Sequence, residues 1–149
     1  MLLNQPMPQA TSHVSVRSTP PAELPASPAV REHVWHLLSR LYPPGKGGER
    51  RKERRYPYPQ LLHLTPVAAD GISPTEATIV VAGKHLSEQG LGFFHREPLI
   101  HRRIIASLEE ATGWIGLLTD VSWCRFTRHG WYESGGRFLQ VVPSPLRRR

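Results

Sequence analysis

Cysteine is almost missing from this chain of 149 residues: Cys124 stands alone. A single thiol rules out an intrachain disulfide framework and a zinc site built from several thiolates of one chain, and it points to a reducing compartment. Long apolar runs are missing too. None approaches the ~20 residues a helix needs to span a bilayer, and the opening Met-Leu-Leu-Asn-Gln-Pro has neither the basic stretch nor the unbroken apolar stretch of a secretory leader. A cytoplasmic protein without membrane insertion is expected. Acids are in short supply, 12 Asp and Glu against 19 Lys and Arg, for a formal net charge of +7. That excess favours anionic partners such as nucleotides, nucleic acid or an acidic surface, and it also serves solubility alone. There is no P-loop, no paired-carboxylate motif and no nucleotidyl cyclase signature. Asp120 and Ser122 share a strand face, but no histidine pairs with them in sequence. The chain is not expected to be an enzyme, and no cofactor is expected.

Proline, by contrast, is plentiful, and it divides the chain. Residues 1–28 hold Pro6, Pro8, Pro20, Pro21, Pro25 and Pro28 among Ser, Thr, Ala and Gln, without helical or strand periodicity, which reads as a disordered tail. Residues 29–48 read as an amphipathic helix and linker. Ser27 offers an N-cap, Pro28 suits the first helical position, and Val30, Val34, Leu37, Leu38 and Leu41 share a face at helical spacing. Tyr42-Pro43-Pro44-Gly45 ends the pattern. The apolar face is expected to bury against this chain's own domain. His33 and His36 lie three apart on the helix and lack a third patterned ligand, so they predict no metal site.

From Tyr56 onward the texture is short runs rich in Val, Ile, Leu and aromatics, broken by Gly, Pro, Asp and Ser. Strands are predicted at 60–65, 77–82, 90–95, 103–109, 114–126 and 131–142, with hairpins at Ala111-Thr112-Gly113 and Thr127-Arg128-His129-Gly130. The stretch 103–109 also has helical composition, but Ile104, Ala106 and Leu108 alternate as in a strand. Short antiparallel strands with an attached helix suggest a small β-barrel over 49–143, followed by a basic tail at 144–149. Trp123 and Trp131 are expected in the core or at the barrel mouth, and Cys124 as a small buried strand residue.

Two constellations carry chemistry. Arg51 and Arg55 are spaced RxxxR, and Arg50 with Arg54 repeats the spacing one residue earlier. Guanidinium forks bind phosphate bidentately, stack on purines and meet O6 and N7 acceptors, so the pair fits an anion clamp; a solvated basic linker fits the run equally. The second is Gly83-Lys84-His85-Leu86-Ser87-Glu88-Gln89-Gly90-Leu91-Gly92, a glycine-rich turn between two predicted strands. Its glycines permit positive φ, and Ser87 can donate or accept. A plain hairpin connection accounts for it as well.

These elements, with Val121-Ser122-Trp123-Cys124-Arg125, Tyr132 and Gly135-Gly136-Arg137-Phe138, resemble the PilZ domain family over about residues 49 to 142. That family places RxxxR before its first strand and [D/N]xSxxG between later ones. The resemblance implies a six-stranded antiparallel barrel with a helix nearby, in a bacterial signalling receptor for cyclic di-GMP. It further implies that Arg51 and Arg55 clamp phosphate and guanine while Ser87 and Gly90 shape a second wall. His85 departs from the pattern, standing where Asp or Asn is called for. Neutral imidazole has one acceptor nitrogen and imidazolium none, whereas a cationic ring meets phosphate or O6 and makes binding sensitive to pH. Loss of one charge-assisted contact of about 1.5–3 kcal/mol weakens affinity roughly 10- to 150-fold.

Three functions follow as expectations. The first is a cyclic di-GMP sensor in which ligand orders the arginine segment and repositions the helix to signal to an unidentified protein partner. The second is a PilZ-like adaptor that no longer binds nucleotide because of His85. The weakest is a nucleic-acid-binding basic barrel using Arg50 to Arg55, Arg102-Arg103 and Arg147-Arg148-Arg149, and nucleic acid is not the favoured partner.

Overall fold

The computed structural model describes residues 27–42 and 54–146. The expected tail at 1–26, the linker at 43–53, which holds Arg50 and Arg51, and the last three arginines lie outside the described residues. Helix α1 (Pro28–Leu41) starts where its caps dictate. The Ser27 hydroxyl accepts from Val30 N at 3.2 Å, and Pro28 fills a position whose N–H would be unpaired anyway. Val30, Val34, Leu37 and Leu38 are buried, whereas Leu41, expected on the same face, is exposed at the helix end.

Seven strands follow: β1 (Tyr56–Pro57), β2 (Leu61–Pro66), β3 (Ile79–Leu86), β4 (Gly90–His95), β5 (Arg103–Glu110), β6 (Gly113–Phe126) and β7 (Tyr132–Val142). All neighbours are antiparallel, in the order β1-β3-β2-β5-β6-β7-β4, and β4 returns to pair with β3. That last pairing closes β2 to β7 into a six-stranded barrel, with β1 a short addition on β3. Closure removes the free edges an open sheet would present over most of its length.

Inward side chains of the strands and the apolar face of α1 form one core that includes Leu38, Leu64, Phe93, Leu108 and Phe138. The helix is therefore part of the barrel's core. A smaller cluster of Val67, Ile105, Leu118 and Val142 covers the other face of β5 and β6. Burial on both faces explains the mixed helix and strand composition of β5. Among the described residues, no helix is long and apolar enough to cross a membrane.

The strand expected at 77–82 runs instead from Ile79 to Leu86, so His85 sits in a strand and the connecting turn is only Ser87 to Gln89. The extension arises because residues beyond Ala82 find partners on both sides, β4 along one edge and β1 along the other. The glycines of this stretch do not use the positive φ open to them; among the described residues it occurs at Gly71, Gly113 and Gly130. Cys124 is exposed, against the expectation of burial, and Trp123 and Trp131, expected in the core or at the barrel mouth, are exposed and outside the core. They lie on the β6–β7 hairpin, where β6 runs beyond its pairing with β5, so strand alternation there no longer separates core from solvent.

Leu38 is 1% exposed and Leu41 39%. Leu38→Ala is expected to cost about 2–5 kcal/mol, and Leu41→Ala less than about 1 kcal/mol, read as the shift in urea unfolding. Equal costs would contradict the helix's place in the core.

Candidate functional site: a basic cleft on the barrel wall

The second sequence element folds into a closed turn. Ser87 N donates to Gly90 O at 2.9 Å, and the Ser87 hydroxyl accepts from Gln89 N and Gly90 N at 3.2 and 3.3 Å. Its oxygen thus supports the turn's backbone. Gly90 is required for packing: a Cβ there would strike the Gly136 carbonyl of β7. Phe138 N donates to Gln89 O at 2.7 Å, tying the turn to that strand.

Beside the turn, one row of residues crosses four strands. His85 of β3 pairs with Gly92 of β4, Gly92 with Gly135 of β7, and Gly135 with Trp123 of β6. The two glycines make room for two rings. A Cβ on Gly92 would lie 2.6 Å from Cε1 and Nε2 of His85, and one on Gly135 would strike the Trp123 indole. Glycine inside a strand weakens the ladder unless something approaches closely, and here two rings do.

A cleft of about 460 Å³ opens over this row, lined by Arg55, His85, Ser87, Gln89, Gly90 and Trp123, with Arg137, Ser122, Leu91 and Gly136 completing it. Small-ligand sites typically occupy roughly 300–1,000 Å³. The structure therefore brings together Arg55, His85, Ser87 and Gly90 of the residues singled out in sequence. Arg54 points elsewhere, with its guanidinium 5.2 Å above the Tyr56 ring. Arg50 and Arg51 lie outside the described residues. Sequence reading missed Trp123 as a cleft residue, and it missed Arg137, Gln89 and Ser122. The adjacent glycines at 135 and 136 were the available signal, since paired glycines in a strand mark a close approach.

Carboxylates sort the cations around the cleft. Glu133, only 2% exposed, accepts from Lys84 and is held by Arg125 at 2.6 Å. Arg102 and Arg103 share Asp120 at 2.9 and 3.4 Å. Among the described residues neither Arg55 nor Arg137 has a carboxylate partner. The cleft thus keeps two uncommitted guanidiniums, the donors suited to phosphate. Burial pushes the His85 imidazole below the usual histidine range, and the positive charges of Arg55 and Lys84 push it further. Both effects favour the neutral ring, and among the described residues its buried Nδ1 has no hydrogen-bond partner.

The helix reaches both elements of the site. Trp35 Nε1 donates to Glu88 in the turn, and the Trp35 ring meets Tyr56 edge-on at 5.7 Å. Tyr42 packs on Tyr56 at 5.4 Å and donates to Pro57 O at 2.6 Å.

The closed six-stranded barrel with helix α1 packed into its core is a PilZ-like fold. No family model and no curated protein matches the chain. Among solved structures, the Bacillus subtilis inhibitor of motility MotI/DgrA matches at 17% identity and TM-score 0.43, covering 66% of this chain and 49% of that one. K. pneumonia MrkH in its apo state matches at 13% identity and TM-score 0.42, covering 62% of this chain and 44% of that one. The chain thus spans less than half the length of either protein. At these TM-scores the likeness adds nothing to the reading of the cleft.

The hydrogen bond from Lys84 holds the Glu133 carboxyl below its ordinary value of 4.5; burial opposes this, and Arg125 adds to the lowering. A depressed carboxyl contributes stability that is complete above the unfolded value and is lost as pH falls through the folded one. Unfolding free energy should therefore fall more steeply between pH 5 and pH 3 in the parent than in Glu133→Gln, as measured by urea titration. Parallel slopes would mean that Glu133 carries none of this dependence.

Proposed function

We propose that the cleft binds a phosphate-bearing guanine dinucleotide of the cyclic di-GMP type, and that the domain serves as a receptor for it. One observation carries this reading: elements far apart in sequence, Arg55, the Ser87–Gly90 turn and Arg137, converge on a single cleft with two unpaired guanidiniums. Two arginines suit two phosphates, and Trp123 offers an aromatic surface beside them. The contacts of Trp35 with Glu88 and Tyr56 support a relay from cleft to helix α1, and from there to a protein partner.

Titration calorimetry with cyclic di-GMP, using GMP as control, tests this. Arg55→Ala and Arg137→Ala should each weaken binding about 10- to 150-fold, and Arg51→Ala should do likewise. Arg128→Ala, in the exposed turn between β6 and β7, should leave it unchanged. Heats from the arginine variants equal to the parent's would sink the proposal. A phosphate beside His85 favours the charged ring, so binding takes up a proton and tightens as pH falls from 8 to 6. Affinity that is flat over that range would remove His85 from the ligand's contacts.

The position of His85 favours a second reading, an adaptor without nucleotide. Its ring occupies the space above Gly92, and burial with the neighbouring Arg55 and Lys84 charges disfavours the cationic form that would meet a phosphate. His85→Asp separates the two. Cyclic di-GMP binding that appears only in that variant would establish the adaptor.

A further inference from the structure

Strand β6 outruns one of its neighbours. β5 accompanies it as far as the Arg103↔Asp120 pair, with one further bond from Val121 N to Arg102 O at 2.8 Å. β7 stays with it to the Phe126↔Tyr132 pair. Over 122–126, β6 therefore has one edge that no described strand covers. Such an edge templates strand addition, and sheet proteins usually guard it with lysine or proline. This edge reads Ser-Trp-Cys-Arg-Phe, with neither. Its one charge, Arg125, is already met by Glu133. Alongside runs a groove of about 300 Å³ lined by Leu99, Ile100, Val121 and Cys124 among others. Ile100 is 82% exposed and Phe126 65%. Scattered exposed apolar residues need no explanation, but these two flank an unguarded edge.

We infer that this edge joins two copies of the chain as antiparallel strands about a two-fold axis. The register follows from strand geometry. Opposed residues in an antiparallel pair must both turn their backbone groups towards the other strand or both away, and this orientation alternates along each strand. A strand paired with its own copy therefore places one residue opposite itself. The midpoint of the bare segment is Cys124. Cys124 then faces the partner's Cys124, Trp123 faces the partner's Arg125, and Ser122 faces the partner's Phe126. The pairing brings Phe126 of each copy beside the other's groove at Leu99 and Ile100. Arg125 of each copy is ion-paired with its own Glu133, which reduces the like-charge repulsion about the two-fold. The same patch thus complements itself, as an isologous interface requires, which favours a second copy over a foreign strand.

The test uses the full chain, with light scattering across a concentration series and a short bismaleimide crosslinker. Each thiolate sulfur adds across a maleimide double bond and the ring carbon takes a proton, so no oxidant is needed. A concentration-dependent dimer is expected, crosslinked through Cys124, with the crosslink lost in Cys124→Ser. Ile100→Asp and Phe126→Asp should each weaken the dimer at least about tenfold. Phe126 touches Tyr132 at 5.1 Å, so its variant is checked for folding by circular dichroism, whereas Ile100 is exposed enough that its variant carries the test alone. A chain that stays monomeric up to its solubility limit would overturn the inference, even if the edge captures another protein's strand. So would a dimer that forms no Cys124 crosslink or is indifferent to Ile100→Asp.

Discussion

Strand β4 is the constraint on which the rest of the structure depends. Its residues pair on one side with β3 and on the other with β7, and this double pairing turns an open sheet into a barrel. Closure demands close approach at Gly90, where a side chain would strike the β7 backbone, and at Gly92, where it would strike the ring of His85. Forcing extra atoms into such packing costs roughly 1–3 kcal/mol or more. The glycines that let the barrel close also form the floor on which His85 and Trp123 rest and at whose end the Ser87 turn is pinned. Fold and cleft therefore impose the same requirement on the same residues.

Electrostatic sorting gives that floor its character. The chain is rich in arginine, so positive charge alone distinguishes no place on its surface. Glu133 and Asp120 draw Lys84, Arg125, Arg102 and Arg103 into ion pairs, leaving Arg55 and Arg137 facing the cleft without a carboxylate among the described residues. A buried carboxylate held by two cations spends their charge locally and holds β3, β6 and β7 in lateral register. The free charge is thereby concentrated where the aromatic ring and the turn already converge. The same sharing at Asp120 weakens the Arg102-Arg103 pair as part of a nucleic-acid surface.

Much of this was legible in sequence, and the misses have physical causes. Helix α1 announced itself through Ser27, Pro28 and an apolar face, signals that act within a few residues. β4, β5 and β6 could be placed because their alternation is bounded by turn residues. The end of β3 could not, since Gly83 reads as a breaker and only its neighbours across the sheet keep the strand going to Leu86. Arg55, Ser87 and Gly90 were found because family-like spacing marks them. Trp123 was expected in the core or at the barrel mouth, the usual places for a tryptophan in a long apolar strand; that β6 outlasts β5 is a matter of pairing length, which no local pattern records. Nor could sequence tell which arginines a carboxylate had already claimed, for Glu133 lies 49 residues from Lys84 along the chain.

The helix is where the fold's economy has a consequence for function. Its apolar face belongs to the barrel core, so α1 cannot leave without exposing Leu38, Val34 and their partners. Large detachment is thus costly, but small displacement is not resisted in the same way. Two of its contacts reach the elements of the cleft: Trp35 on Glu88 in the turn, and Trp35 and Tyr42 on Tyr56 next to Arg55. An occupant that draws Arg55 and the Ser87 turn together acts on both anchors at once. Coupling between sites needs an element with more than one arrangement, biased by contacts at each end. On the proposed function, a helix packed into the core and touched by the Ser87 turn and by Tyr56 is the element, rather than the barrel wall, through which occupancy of the cleft would register.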